Sequence, residues 1–422
     1  MNARLLVLAV LLHATMTFAE DEYNGYSLEE ATEFRQQWTI DNWDDGGPLT
    51  RYVFLNMSEF WNHSVIDRSG PVRDLAESPR DDVANFMTNL DAGEITLAEY
   101  VSDPRVDGVI VLHQGRIVFE AYPHMGRHDK HLYMSVSKTL AATSIAILED
   151  RELIDVSKSI DSYIPQLADA GWAGVSIRDV LDMASGINCR QNIPDAYENP
   201  ELCYYQFEAS LGLLRPTGQT EDSTHSYIAN MNSHRPSGEA FEYSSTNTFV
   251  LAWLAERVAG VPYADLISKE IWQEIGAESD AILVAPKRGV QYASNGISST
   301  LRDLARFGLL FTPSGRANVN SIISDSYLRK IQKEGRPAIF NAGRENNPRL
   351  IDGERPRHNT YQWDLVMEDG DFFKSGYGGQ GLYISPSRDL VIAFFGTLDK
   401  DGRSSQMTQV ARQLAKSGLF DQ

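Results

Sequence analysis

Basic residues are scarce in this chain: 38 Lys and Arg stand against 58 Asp and Glu, a formal net charge of −20. A surface of that sign repels nucleic acid and anionic membranes, so neither is expected as a partner. No long run of one sign, no repeat and no low-complexity tract goes with the excess, which therefore reports mainly solubility. Past the leader, no apolar stretch approaches membrane-spanning length. The Gly-x-Ser-x-Gly elbow is absent, which argues against an α/β-hydrolase. A metal-ligand pattern is also missing. His124, His128 and His131 flank a Gly-bearing loop with no fitting carboxylate pattern and no Cys partner, and they read as loop histidines near a cleft mouth. No metal and no cofactor is expected.

What is present begins with the leader. Met1-Asn2-Ala3-Arg4 carries one positive charge, residues 5–12 are uninterruptedly apolar, and Thr17-Phe18-Ala19 offers small residues ahead of Glu20-Asp21-Glu22. That layout predicts a cleavable signal peptide over residues 1–19, cut after Ala19, and a secreted or periplasmic product. The only cysteines are Cys189 and Cys203. In an oxidising compartment such a pair is expected to form one bridge, stabilising by roughly 3 kcal/mol in the chain-entropy model. The composition, 42% hydrophobic and 23% charged, is that of an ordinary globular protein long enough for two intimately packed domains.

Residues 20–100 are polar and weakly periodic and read as an extension wrapping the core, with a few helices. From Val106 the texture changes: two apolar runs separated by His113-Gln114-Gly115 predict a hairpin. Apolar residues at helical spacing predict a helix over 137–153. The middle, 161–285, reads as a mostly helical insertion, with its clearest helices over 175–183 and 248–258. Residues 290–311 read as a loop and a helix. Two strands follow, over 381–384 and 390–395, and a last helix over 404–417. Strands at both ends with helices between predict an α/β (α+β) fold: one antiparallel sheet flanked by helices, built from residues 101–160 and 286–422.

The chemistry gathers in three short segments. Ser135-Val136-Ser137-Lys138 opens the predicted helix, and a spacing of three sets Lys138 on the face of the Ser135 hydroxyl. A buried lysine there has a lowered pKa and can accept the serine proton, while a helix N-terminus favours a developing oxyanion. Glu242-Tyr243-Ser244-Ser245 lies at a loop-to-helix corner, where a phenol near Lys138 is expected to become acidic enough to shuttle protons. Lys374-Ser375-Gly376-Tyr377 leads into a strand whose glycines let its edge approach a ligand and complete an oxyanion hole.

In that order the three segments resemble the penicillin-recognising serine hydrolases, of the class C β-lactamase, esterase and 6-aminohexanoate-oligomer hydrolase type. Residues 175–186 and 295–306 resemble two further landmarks of that family, and the resemblance spans about residues 100–400. It implies Ser135 as nucleophile, Lys138 as partner base, Tyr243 as proton shuttle, and the N–H groups of Ser135 and Tyr377 as the oxyanion hole. Ser245, Lys374, Ser375 and Gly376 are implied as substrate contacts. One departure stands out: the family's middle motif is usually Tyr-x-Asn, and Ser245 occupies the place of the Asn. A hydroxyl reaches less far than an amide, so cleavage of small esters or linear amides through an acyl-enzyme is expected ahead of β-lactams. A D-amino-acid peptidase or β-lactamase acting on peptidoglycan-like substrates is the alternative. A non-catalytic binding protein of the same fold is a third reading, against which the retained Ser and Lys speak.

Overall fold

The hairpin expected at Val106 forms. Strands Val106–His113 and Arg116–Ala121 are joined by Gln114 and Gly115, both at positive φ (52° and 72°), the backbone a two-residue turn needs to match strand twist. The computed structural model describes residues 25–421 other than 288, 318–321 and 345–348, so the leader over 1–19 lies outside the described residues.

The hairpin is one edge of a seven-stranded sheet, which continues through Leu390–Gly396, Gln380–Ser385, Phe372–Gly376, Trp363–Val366 and His358–Thr360. All neighbours run antiparallel, and Val106–His113 pairs with Leu390–Gly396 from the far end of the chain. Both faces are covered, which is why Leu390–Gly396 is buried along its whole length and shows no polar alternation. Ile110, Leu112, Val391 and Ala393 face one core, which includes the helices Lys138–Asp150 and Leu301–Leu309. Val109, Val111, Ile392 and Phe394 face the other, under Met407–Ala415. Helix Leu301–Leu309 comes so close to the sheet that a Cβ at Gly308 would lie 2.6 Å from Val391 Cγ1.

Helix Lys138–Asp150 is buried from Lys138 to Leu148 and packs on helix Ser245–Ala259. Its Thr139, Thr143 and Ser144 hydroxyls donate to backbone carbonyls of the same segment, so the helix can be buried on every side, and that burial encloses a lysine. Between 290 and 311 the structure adds a three-residue strand, Ile297–Ser299, to the loop and helix read from the sequence. Three residues carry no readable periodicity. This strand sits in a four-stranded sheet ordered His63–Ile66, Ala281–Val284, Ile297–Ser299, His131–Leu132. It brings residues 294 and 295 against the turn that holds Ser135.

The stretch 25–100 is tied down by the Arg51–Asp107 ion pair at 2.6 Å, and its Trp43, Phe54 and Trp61, packed on one another, belong to the main hydrophobic core. Asp107 also accepts from His131 Nε2 at 3.0 Å, and His131 stacks on Phe395. His124 Nδ1 lies 2.6 Å from the Val106 carbonyl oxygen. Cys189 and Cys203 are joined by a disulfide with a Cα–Cα distance of 5.1 Å. Among the described residues no helix is long and apolar enough to cross a membrane.

Candidate active site

Ser135 does not sit on the α-helix. It lies in the 3₁₀ turn Met134–Ser137, and the α-helix begins at Lys138. Residues three apart eclipse each other in a 3₁₀ turn, so the lysine falls under the serine: Nζ stands 3.1 Å from Ser135 Oγ. Met134, one residue earlier, holds φ at 48°, a left-handed conformation that costs a non-glycine residue about 1–3 kcal/mol. Ser137 points away, fully buried, with its hydroxyl accepting from Ile297 N at 3.2 Å. Lys138 is fully buried, and its Nζ also contacts Ser294 O at 3.0 Å and Asn295 Oδ1 at 2.9 Å. Burial, followed by the cation of Lys374, pushes its pKa well below that of an ordinary lysine.

Tyr243 immediately precedes Ser244, the N-cap whose hydroxyl accepts from Thr246 N at the start of helix Ser245–Ala259. Its ring lies between the two lysines, 5.4 Å from Lys138 Nζ and 4.8 Å from Lys374 Nζ, with its hydroxyl near Ser135. Lys374 Nζ donates to the Tyr243 hydroxyl at 3.3 Å and to Asp364 Oδ1 at 2.6 Å. The phenol is not made acidic, contrary to expectation. Burial first, then the negative charge of Asp364, push it well above the usual phenol range. Lys138, the cation that was to acidify it, is itself driven toward the neutral amine by burial and Lys374, and Lys374 is neutralised by Asp364, held low by Lys374 and Arg349 against the effect of burial. Tyr243 is therefore a neutral hydroxyl, fit to relay a proton but not to act as a standing phenolate.

Ser375 donates to Asp364 Oδ2 from its N–H at 3.1 Å and its hydroxyl at 2.7 Å, and Arg349 donates to that hydroxyl at 2.6 Å. Gly376 ends the strand against the nucleophile turn, where a Cβ would lie 2.4 Å from Tyr133 O. Tyr377 lies half-exposed at the cleft wall, its hydroxyl donating to Asp44 O at 3.3 Å. Ser245 does not reach the cleft. It is fully buried as the first residue of its helix, its N–H donates to Gln191 Oε1 at 2.6 Å, and its hydroxyl turns toward Tyr204. The expected substrate contact through Ser245 is corrected accordingly.

Ser135, Tyr243, Ser375, Gly376 and Tyr377 line a cleft of about 850 Å³. Several of its walls had no motif to announce them. Trp43, Asp44 and Asp45 come from the N-terminal stretch, Arg344 and Arg349 from the opposite end of the chain. Burial and its neighbour Asp45 raise the Asp44 carboxyl to about 6. Glu208, fully enclosed, is raised to about 7 by burial and accepts from the Tyr204 hydroxyl at 2.7 Å and that of Tyr292 at 3.1 Å. Asn295 was legible only as part of a landmark segment, and Asp364 carried no signal.

The chain matches the beta-lactamase family over residues 96–416. It is 29% identical over 358 residues to a 6-aminohexanoate-dimer hydrolase of Paenarthrobacter ureafaciens, an alignment spanning 84% of this chain and 86% of the relative. Among solved structures, a Bacillus anthracis protein named as a candidate 6-aminohexanoate-dimer hydrolase superposes with a TM-score of 0.77 at 24% identity, covering 91% of this chain and 96% of that one. EstCE1, described as a hydrolase with promiscuous acyltransferase activity, superposes at 0.57 with 13% identity over 75% of this chain and 96% of its own. The chain belongs to the beta-lactamase family, and its fold is that of the penicillin-binding and beta-lactamase serine hydrolases.

Proposed function

We propose that this protein is a serine hydrolase that opens linear amides, and esters of similar shape, through an acyl-enzyme on Ser135. One observation carries the reading: a fully buried lysine, its pKa pushed down, stands 3.1 Å from a serine hydroxyl that faces a large cleft. In acylation the Ser135 oxygen attacks the substrate carbonyl carbon while its proton passes to the Lys138–Tyr243 pair. The C=O π electrons move onto oxygen, which the strand end at Gly376-Tyr377 and the turn at Ser135 are placed to receive. As the carbonyl re-forms, the C–N bond breaks and the amine leaves with the proton relayed through Tyr243. Water then repeats the sequence against the ester and frees the acid.

The charges of the cleft favour a substrate with two unlike ends. Arg344 borders Tyr243 and Asp364 and makes no ion pair among the described residues. Asp44 and Asp45 border Tyr377. A carboxylate suits the first side and an ammonium the second, with the scissile amide between them at Ser135. The 6-aminohexanoate dimer named for the Paenarthrobacter ureafaciens relative is a molecule of this kind. The leader pattern and the disulfide support a secreted or periplasmic location.

The test is a panel of p-nitrophenyl esters, a chromogenic cephalosporin, a D-alanyl dipeptide and ω-amino-acid dimers, with Ser135→Ala as control. Linear amides with both charged ends should show the highest kcat/KM among the amides, and Ser135→Ala should abolish every turnover. A cephalosporin hydrolysed faster than every ester and linear amide would contradict the substrate reading.

A further inference from the structure

The amide missing from the middle motif is present in the site, on a different wall. Asn295 Oδ1 accepts from Ser135 Oγ at 2.9 Å and from Lys138 Nζ at 2.9 Å, so it touches both reacting atoms. Its orientation is settled by its neighbours. The Tyr292 hydroxyl donates to Glu208 Oε1 at 3.1 Å and must accept from the other side. The group offering that bond, at 2.5 Å, is Asn295 Nδ2. With Nδ2 so committed, Oδ1 can only face the serine and the lysine. Tyr204, donating to the same Glu208 oxygen at 2.7 Å, fixes the far end of the chain.

A neutral lysine amine has two hydrogens and one lone pair. Around Nζ stand three groups: Ser294 O at 3.0 Å, Asn295 Oδ1 at 2.9 Å and Ser135 Oγ at 3.1 Å. The first two are carbonyl oxygens and can only accept, so they take both hydrogens and leave the lone pair aimed at the third. The serine hydroxyl is the one neighbour of the three with a proton to give: while the lysine is an ammonium, Nζ donates to that hydroxyl, which donates to Asn295 Oδ1, and once the amine is neutral a turn about the Cβ–Oγ bond brings the serine proton to the lone pair. We propose that Asn295 is a catalytic residue that turns the Lys138 lone pair onto Ser135, and that Tyr292 and Glu208 are positioning residues that hold its amide in that orientation. The inference rests on the acyl-enzyme reading above. It sets an amide from the loop before strand Ile297–Ser299 against the reacting pair, where Ser245, turned into the core, does not reach. After transfer, the ammonium has three hydrogens and the same three acceptors, so the proton is received without rearrangement.

The charged groups acting on Lys138 are Lys374, Asp364 and Glu208, with the phenols of Tyr243 and Tyr292 closing the site. The test measures the rate at which a fluorophosphonate labels Ser135, as a function of pH, in the intact protein and in Asn295→Ala, Asn295→Asp and Tyr292→Phe, with thermal melts alongside. Asn295→Ala should label about 100-fold more slowly at its plateau, the loss expected of a misaimed group. Asn295→Asp, nearly the same shape, sets a negative charge against Lys138 and should move the acid limb about 1–3 units to higher pH. Tyr292→Phe, which frees the amide to rotate, should slow labelling with an unchanged melt. Wild-type rate and midpoint in Asn295→Ala overturn the inference, as does a folded Asn295→Asp whose midpoint stays in place. Loss of melting temperature without a change in rate per folded molecule would make Asn295 structural and also overturn it. A wild-type protein that takes no label on Ser135 overturns the hydrolase reading itself.

Discussion

Gly376 is where the strand Phe372–Gly376 meets the turn that presents Ser135, and a single methyl there should separate them. A Cβ at this position would lie 2.4 Å from the Tyr133 carbonyl oxygen and 2.8 Å from Gln380 Cβ. The first contact is about 0.6 Å inside the 3.0 Å below which such carbons essentially never sit, and the obstacle is backbone two residues before the nucleophile. Neither the carbonyl nor the paired strand Gln380–Ser385 can yield by a rotamer change, so the strand end or the turn must retreat. Overpacking of this kind costs about 1–3 kcal/mol of stability. A misplacement approaching 1 Å at the reacting centre costs up to about 100-fold in rate. Gly376→Ala should therefore lower the acylation burst with a p-nitrophenyl ester by about 10- to 100-fold while the protein still folds. Gly218→Ala, exposed with no atom within 4 Å of the added methyl, should change neither stability nor burst. Wild-type burst kinetics in Gly376→Ala would refute the idea that this strand edge and the Ser135 turn form one site.

Lys138→Met should abolish turnover while the melting temperature at neutral pH stays level or rises. A base whose pKa is depressed in the fold opposes folding at every pH below its unfolded value, here 10.5, and the apolar replacement removes that opposition; a lower melting temperature would argue against it. Lys374→Met should move the acid limb of the pH–rate profile to higher pH, since Lys374 depresses Lys138 while Asp364 raises it, and the neutral amine would then appear only in more alkaline solution; an unmoved limb would contradict that coupling. The double replacement of Cys189 and Cys203 by Ser should cost roughly 3 kcal/mol in urea denaturation. It should also raise KM, because Cys189 O accepts from Ser244 Oγ at 2.9 Å and Gln191 Oε1 from Ser245 N at 2.6 Å, and both bonds anchor the helix start beside Tyr243; an unchanged KM would count against the anchoring role.

Local patterns carried the strands around 106–121 and 380–396, which are longer and mostly buried, and the Val106 hairpin announced its own turn, whereas the short strands His358–Thr360, Trp363–Val366 and Phe372–Gly376 had no readable pattern. The strand Ile297–Ser299 escaped notice because it exists only through pairing with segments from elsewhere in the chain. The same cause hid Asn295: nothing in its own stretch says that a loop at 295 will meet a turn at 135. Motif residues such as Lys138 could be read because the chemistry needs them at fixed spacing. The acidity assigned to Tyr243 went astray for a related reason. It rested on the charge of Lys138, but burial and Lys374 drive that lysine toward the neutral amine, and Asp364, which raises the phenol and neutralises Lys374 at 2.6 Å, sits ten positions before Lys374 on the neighbouring strand with no motif around it. Asp44 and Arg344, whose charges shape the cleft, lie outside the motifs that carried the resemblance.

The central claim, that Ser135 is the nucleophile, is tested most directly by intact-protein mass spectrometry after incubation with a fluorophosphonate, followed by peptide mapping. The account predicts one adduct per chain, located on Ser135 and absent from Ser135→Ala. An adduct on Ser137 or any other side chain, or undiminished labelling of Ser135→Ala, would contradict it.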